Sequence, residues 1–288
     1  MTAATTPPRL TTDPETTERL RHCVLRAVAA VHELARELRL TETELHALVG
    51  FLTEVGRADE FMLLSDITHT SILVDALGQP ADADGATSSN VEGPLYRPGS
   101  PLVDTPAVLD HAGQGDDALL LRGRVVEAAS GTPLGGAIVE IWQANQQGLY
   151  ENQDAAQPDG NLRGRVRCDA QGGYEVRTVV PGPYRIATTA GPVLALLTSL
   201  GRHDNRPAHI HVKASAEGHE ALTTMLFIAG DPWLGDDVIG AVKPELVVTP
   251  RPTELPGVAA PRRAFAVEFE IALRPAPATS KSPSGARP

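Results

Sequence analysis

Two histidines two residues apart end the run GRHDNRPAHIH (201–211), and a strand there would project the imidazoles of His209 and His211 from one face. The Arg206-Pro207 pair just ahead of them restricts the backbone to extended conformations. Two neutral imidazoles on a rigid strand can hold a transition metal ion. Upstream, Tyr150 and Tyr184 lie in Gly/Pro-rich turns that could swing phenols toward the same ion. Phenolate is a hard anionic donor, so two of them beside two imidazoles favour ferric iron over zinc, whose sites draw on His, Cys and carboxylate. His-x-His by itself is also the spacing of two ordinary strand histidines, so the flanking residues decide how it is read.

GRHDNRPAHIH is followed by EGHEALTTMLFIAGDPWLGDD (217–237) and preceded by VEGPLYRPG (91–99), EIWQANQQGLY (140–150) and PGPYRIATTAGPV (181–193). These motifs, spread over most of residues 50–250, resemble those of the intradiol ring-cleavage dioxygenases and come in the same order. The resemblance implies a mononuclear non-haem enzyme of the hydroxyquinol or catechol 1,2-dioxygenase type, with one Fe(3+) per subunit held by Tyr150, Tyr184, His209 and His211. It further implies that the ferric ion takes the substrate as a chelating dianion and makes a ring carbon susceptible to O2. Tyr184 would leave the metal as substrate binds and accept a diol proton, while the other three ligands stay. Arg206 matches a family arginine that stabilises negative charge developing on the ring. Outside that context it reads as a surface ion pair. Met225 departs from the pattern: many catechol enzymes carry Gln there, and a thioether cannot donate the hydrogen bond an amide can. Tyr174 alternates with Val176 and Thr178 as a packing residue would, and Tyr96 reads as structural in its loop.

The elements that must position these groups change period along the chain. Asp13 can cap a helix with Pro14 in its first turn, and Leu20, Val24, Val28, Val31, Leu34 and Leu38 recur with helical spacing. Thr41 and Glu44 form a capping-box pattern opening a second helix. A third helix is expected from about Asp59 to Leu77, stopped by Gly78 and apolar on more than one face. Beyond the loop at 78–90, residues 118–128, 136–144, 172–180, 208–214, 221–229 and 264–273 read as strands. The expected architecture is mainly β, with a helical domain at 13–90 and a β-sandwich of the prealbumin-like kind at 91–274. Residues 1–12 and 275–288 are expected as flexible tails. The resembling family has the same order, a helical dimerisation region and then the iron-carrying sandwich. It therefore implies a homodimer through the N-terminal helices, and some relatives hold a lipid at that interface.

A net charge of −11 over 288 residues argues against nucleic acid or an anionic membrane as partner. No segment approaches the length of a membrane span, and the polar, Thr-rich start has no secretory pattern, so a cytoplasmic protein is expected. Cys23 and Cys168 suggest neither a disulfide framework nor a zinc knuckle. Two other readings remain. Residues 123–143 also resemble prealbumin-like repeats of surface adhesion proteins, which would make the sandwich a non-enzymatic binding module. A zinc hydrolase could use His209 and His211 with a carboxylate such as Asp231.

The expected substrates are O2 and a small aromatic diol or triol. The resemblance places Ile72, Asp75, Val91, Pro94, Leu95, Ile186, Arg206 and Val238 at the substrate pocket. Asp75 could accept a hydrogen bond from a third ring hydroxyl, which favours hydroxyquinol cleaved to 3-hydroxy-cis,cis-muconate (maleylacetate). Asp75 could equally pair at the helix end. The wording VEGPLY, and Ala187 where a hydroxyquinol-type proline is expected, point instead to catechol or chlorocatechol and a cis,cis-muconate product.

Overall fold

The structure, a computed structural model, describes residues 13–79, 85–113, 116–186 and 190–277. Ala187 and most of both expected tails lie outside these. The chain divides into two compact units, Met1–Ala58 and Asp59–Pro288.

The first unit carries α1 (Pro14–Leu38) and α2 (Glu42–Arg57). Asp13 caps α1 by accepting from the Thr16 N–H at 2.8 Å, and the Thr41/Glu44 capping box is present at α2. No residue of α1 is buried, and its Leu20, Val24, Val28, Val31, Leu34 and Leu38 are exposed.

The second unit begins earlier than the boundary expected after residue 90, because the segment from Asp59 folds with the β-structure. Glu60 accepts from the Val193 N–H at 2.9 Å, and Arg202 donates to the Ile67 carbonyl at 2.9 Å. The single helix expected at 59–77 is instead two, α3 (Phe61–Ile67) and α4 (Thr70–Leu77). Between them the Thr68 hydroxyl bonds back to the Leu64 and Ser65 carbonyls, and His69 turns left-handed at φ 59°. A threonine that competes for helix carbonyls weakens the run where His69 leaves it. Gly78 caps α4 at φ −77°, so its freedom to adopt positive φ is not used.

Next come β1 (Leu102–Asp104), β2 (Ala107–Val108), β3 (Ala118–Glu127), β4 (Ile138–Gln143), β5 (Arg163–Arg167), β6 (Gly173–Val179) and β7 (Tyr184–Arg185). After α5 (Pro192–Ser199) follow β8 (Asn205–Arg206), β9 (His209–Ser215), β10 (Leu222–Ile228), β11 (Val247–Val248), β12 (Arg251–Pro252), β13 (Ala264–Glu268) and β14 (Ile271–Leu273). One sheet runs β1-β5-β4-β9-β10-β11; the other runs β12-β13-β3-β6-β2, with β14 also on β3. Val139, Ile141, Val166, Ile210, Val212 and Leu226 of the first sheet pack on Leu119, Leu121, Val125, Val176, Val267 and Ile271 of the second. This is the expected β-sandwich, mainly β with a helical N-terminal part. The strand β5 was not foreseen, because its RGRVR sequence looks too charged to be buried.

The strand expected at 264–273 breaks after Glu268, and Tyr174 stabilises the break: its buried hydroxyl donates to the Phe269 carbonyl at 2.7 Å. Tyr174→Phe should therefore cost about 1–2 kcal/mol in urea unfolding and leave metal content unchanged. A loss of bound metal would place Tyr174 in the wrong role.

Candidate metal centre

Cross-strand register builds the floor of the site. Arg163 of β5 pairs with Trp142 of β4, Trp142 with His211 of β9, and His211 with Met225 of β10. Paired residues share a face, so these four form one row on the sheet face opposite the sandwich core, with His209 opposite Phe227 beside it. The strands are buried on both faces because loops cover this second side.

Two of those loops bring the tyrosines. In the 144–162 connection the Asn145 side chain accepts from the Gln147 and Leu149 N–H groups at 3.0 and 2.9 Å, fixing the turn before Tyr150. Gly148, at φ +79°, backs onto the other loop: a Cβ there would lie 2.3 Å from the Pro183 carbonyl oxygen. Only glycine allows both the positive φ and this approach, and the approach sets Tyr150 edge-on to Tyr184 with ring centroids 5.7 Å apart. Pairing of β7 with β8 puts Tyr184 directly opposite Arg206, and its ring lies 5.4 Å from that of His209.

The donor atoms fit a metal ion. His209 Nδ1 stands 2.7 Å from the Pro207 carbonyl, which can only accept, so Nδ1 carries the proton and Nε2 presents its lone pair. Arg206 Nη1 donates toward that Nε2 at 3.4 Å. Burial, aided by Arg206's charge, pushes His209 down to about 3, and burial lowers His211 as well, so both are neutral at physiological pH. The two Nε2 atoms are 3.2 Å apart. Nitrogens sharing one ion at about 2.1 Å from each stand no more than about 4.2 Å apart, and the pair meets that bound. Tyr150 is wholly buried and its hydroxyl has no hydrogen-bond partner among the described residues. Burial holds that phenol well above its usual pKa even with the charges of Arg206 and Arg163 nearby, so direct bonding to a metal ion is what would make the phenolate the stable form.

Arg206 does not form a surface ion pair. It is buried, with Nε and Nη2 donating to the two Asp237 oxygens at 3.1 and 3.2 Å and Nη2 lying 3.5 Å from Met225 Sδ. Met225 thus accepts, where an amide could have donated. Nothing in the sequence singled out Asp237 beyond its place in WLGDD. Arg163 was also missed: it is buried, its Nε is 2.7 Å from Glu151, and its guanidinium lies 5.6 Å from the centre of the Tyr150 ring. Asp231, the carboxylate of the zinc reading, accepts backbone N–H groups from Ala208 and Trp233 at 3.0 and 2.9 Å. Among the described residues no three of His, Cys, Asp and Glu gather to hold a metal.

The pocket residues are placed unevenly. Leu95 packs against the cluster of Trp142, Ala144 and Tyr150, and its loop is tied to the site's sheet by Glu92 to Lys213 at 2.6 Å and Tyr96 to Glu140 at 3.2 Å, and to the 144–162 connection by Arg97 to Glu151 at 2.7 Å. Val238, next to Asp237, is buried, whereas Val91, Ile72 and Ile186 are half-buried and Pro94 is exposed. Asp75 is held by protein donors on both oxygens, by Ser89 on Oδ1 and by Lys243 at 2.8 Å on Oδ2.

Fold and donor set together define a β-sandwich protein whose two phenols and two imidazoles suit a single metal ion beside a buried arginine. Comparison with known proteins makes this specific. A family model described as Dioxygenase matches residues 91–275, and one described as Catechol dioxygenase N terminus matches residues 17–86. The chain is 38% identical to catechol 1,2-dioxygenase 2 of Acinetobacter lwoffii, over 82% of this chain and 87% of the relative. It is 37% identical to hydroxyquinol 1,2-dioxygenase of Rhizobium sp. strain MTP-10005, over 80% and 78%. The solved hydroxyquinol 1,2-dioxygenase of Pseudomonas putida DLL-E4 superposes with a TM-score of 0.81 at 34% identity, covering 92% of this chain and 94% of that one. The chain belongs to the intradiol ring-cleavage dioxygenase family and is an oxidoreductase. Among its described residues no helix is long and apolar enough to cross a membrane.

Proposed function

We propose that the enzyme binds one ferric ion through Tyr150, Tyr184, His209 and His211 and opens a 1,2-dihydroxylated ring between its hydroxyls, both atoms of O2 entering the product. The Tyr184 ring beside both the Tyr150 ring and that of His209, whose Nε2 stands 3.2 Å from the His211 Nε2, carries this reading. Bound there, iron would hold the diol's two oxygens and make the ring reactive toward O2. The chain's own residues divide the remaining work. Tyr150, fully buried under Arg163, stays in place. Tyr184 is only partly buried, on a two-residue strand, and is the phenol free to swing away and take a diol proton. Arg206, fixed by Asp237, faces the negative charge that develops on the ring.

Hydroxyquinol is the preferred substrate in this reading. A carboxylate has four acceptor positions, so Asp75, which accepts from Ser89 on one oxygen and from Lys243 on the other, retains capacity for a third ring hydroxyl. Catechol is the second reading, favoured by the same ion pair: a carboxylate already holding Ser89 and Lys243 serves to fix α4. The ratio of kcat/KM for hydroxyquinol to that for catechol decides. The first reading expects a ratio above one that falls at least about tenfold in Asp75→Ala; a ratio below one, or one unmoved by the substitution, selects the second.

The exposed apolar stripe of α1 supports a homodimer formed through the N-terminal helices, and a lipid held at that interface belongs to the same proposal. Sedimentation should give a dimer at micromolar concentration and a smaller species once residues 1–58 are removed; a dimer that persists would move the interface elsewhere. Two free cysteines, Cys23 exposed, suit a reducing cytoplasm.

A further inference from the structure

An imidazole that binds a metal through one nitrogen needs its plane fixed by something else, and the usual device is a hydrogen bond from the other nitrogen. His209 has this in its bond to the Pro207 carbonyl. His211 lacks it: its Nδ1 is buried with no hydrogen-bond partner among the described residues. What His211 has instead is Trp142. The indole lies flat on the imidazole, with centroids 4.7 Å apart and planes 8° from parallel. Sheet register puts Trp142 directly opposite His211, and Tyr96 backs the indole at 4.9 Å, its own hydroxyl bonded to Glu140. The Gly93 backbone closes on the remaining edge, where a Cβ would lie 3.3 Å from His211 Cε1.

From this geometry we infer that Trp142 is the positioning residue for His211, its indole face setting the imidazole plane and so the aim of Nε2. The inference rests on His211 being a metal ligand. It makes the two histidines unequal: one is oriented by a hydrogen bond and the other by stacking, so each responds to a different substitution.

The test compares wild type, Trp142→Leu and Trp142→Phe by iron affinity, in competition with a chelator, and by the electron paramagnetic resonance line shape of the ferric protein. Leucine keeps apolar bulk but offers no flat face. Iron affinity should fall about ten- to a hundredfold, and the ferric signal should broaden as the imidazole samples several orientations. Phenylalanine keeps a smaller face and should restore most of both. A leucine variant with wild-type affinity and line shape overturns the inference. If circular dichroism shows that the leucine variant does not fold, Trp142→Met, with flexible apolar bulk and no flat face, takes its place: a tenfold or greater loss with a broader signal supports the role, and wild-type values overturn it. Wild-type protein that takes up no iron would instead refute the metal reading itself, a separate outcome.

Discussion

Tyr150→Phe is expected to strip the centre of its iron while leaving the iron-free chain more stable than wild type. The Tyr150 hydroxyl is wholly buried and makes no well-aligned hydrogen bond among the described residues, with the Tyr184 phenol as a polar neighbour. Burying such a group without a partner costs about 1–3 kcal/mol, which phenylalanine avoids at nearly the same shape. With metal present the balance reverses, because the phenolate is a donor that phenylalanine cannot replace. Iron content should drop by an order of magnitude or more, and the tyrosinate charge-transfer colour should weaken with it. The histidines make a useful contrast. His211→Ala should also lose iron, but His209→Ala should lose more stability besides, since it leaves the Pro207 carbonyl and an Arg206 donor without the contacts His209 gives them. Chelator competition and thermal unfolding of the iron-free proteins measure both quantities. An iron-replete, coloured Tyr150→Phe protein would remove Tyr150 from the ligand set.

Arg206→Met is expected to cost about 3–5 kcal/mol at neutral pH, because it strands the buried Asp237 carboxylate without its counter-charge. The loss should depend on pH with a definite sign. In the wild type, burial alone would raise the Asp237 pKa, but the charge and hydrogen bonds of Arg206, with the Ala241 N–H, hold it below the usual carboxylate value. A depressed carboxylate contributes stability that is present above its unfolded value and is lost as pH falls through its folded one. Without Arg206 the burial contribution prevails and the sign reverses, so acidification relieves the variant while it weakens the wild type. The stability gap should therefore be largest near neutrality and narrow toward the carboxylate range. Adding Asp237→Asn should recover much of the stability but none of the turnover. For turnover, the proposed role of Arg206 against charge developing on the ring predicts a loss of about a hundred- to a thousandfold in kcat. If Arg206→Met proves as stable as wild type, the buried pair is not the clamp described here; if the double variant regains activity, Arg206 acts only through Asp237.

Chemistry and order of elements were legible in the chain itself. The His-x-His strand, the capped helices and most of the long strands follow from residue types and short-range periodicity, which depend on neighbours within a turn or a pleat, whereas the proposed set of two tyrosines and two histidines rests on the resemblance of the motifs that carry them. What lay beyond was set by contacts between distant segments. The helix expected through 59–77 broke at Thr68 and His69, and both halves joined the second unit because Glu60, Ile67 and Asp75 find partners on Val193, Arg202 and Lys243. In the charged strand β5 the buried arginine, Arg163, meets a buried counter-charge in Glu151, while Arg167 stays exposed. Gly148 could be read as a turn residue, but that its missing side chain lets two loops touch and bring Tyr150 to Tyr184 is a fact of tertiary approach. The Asp237 clamp on Arg206 and the indole under His211 are likewise pairings across 31 and 69 positions, as the residue numbers show. Local sequence determines which groups are available for chemistry, and the packing of segments far apart in the chain decides which of them meet, in what orientation and with what charge.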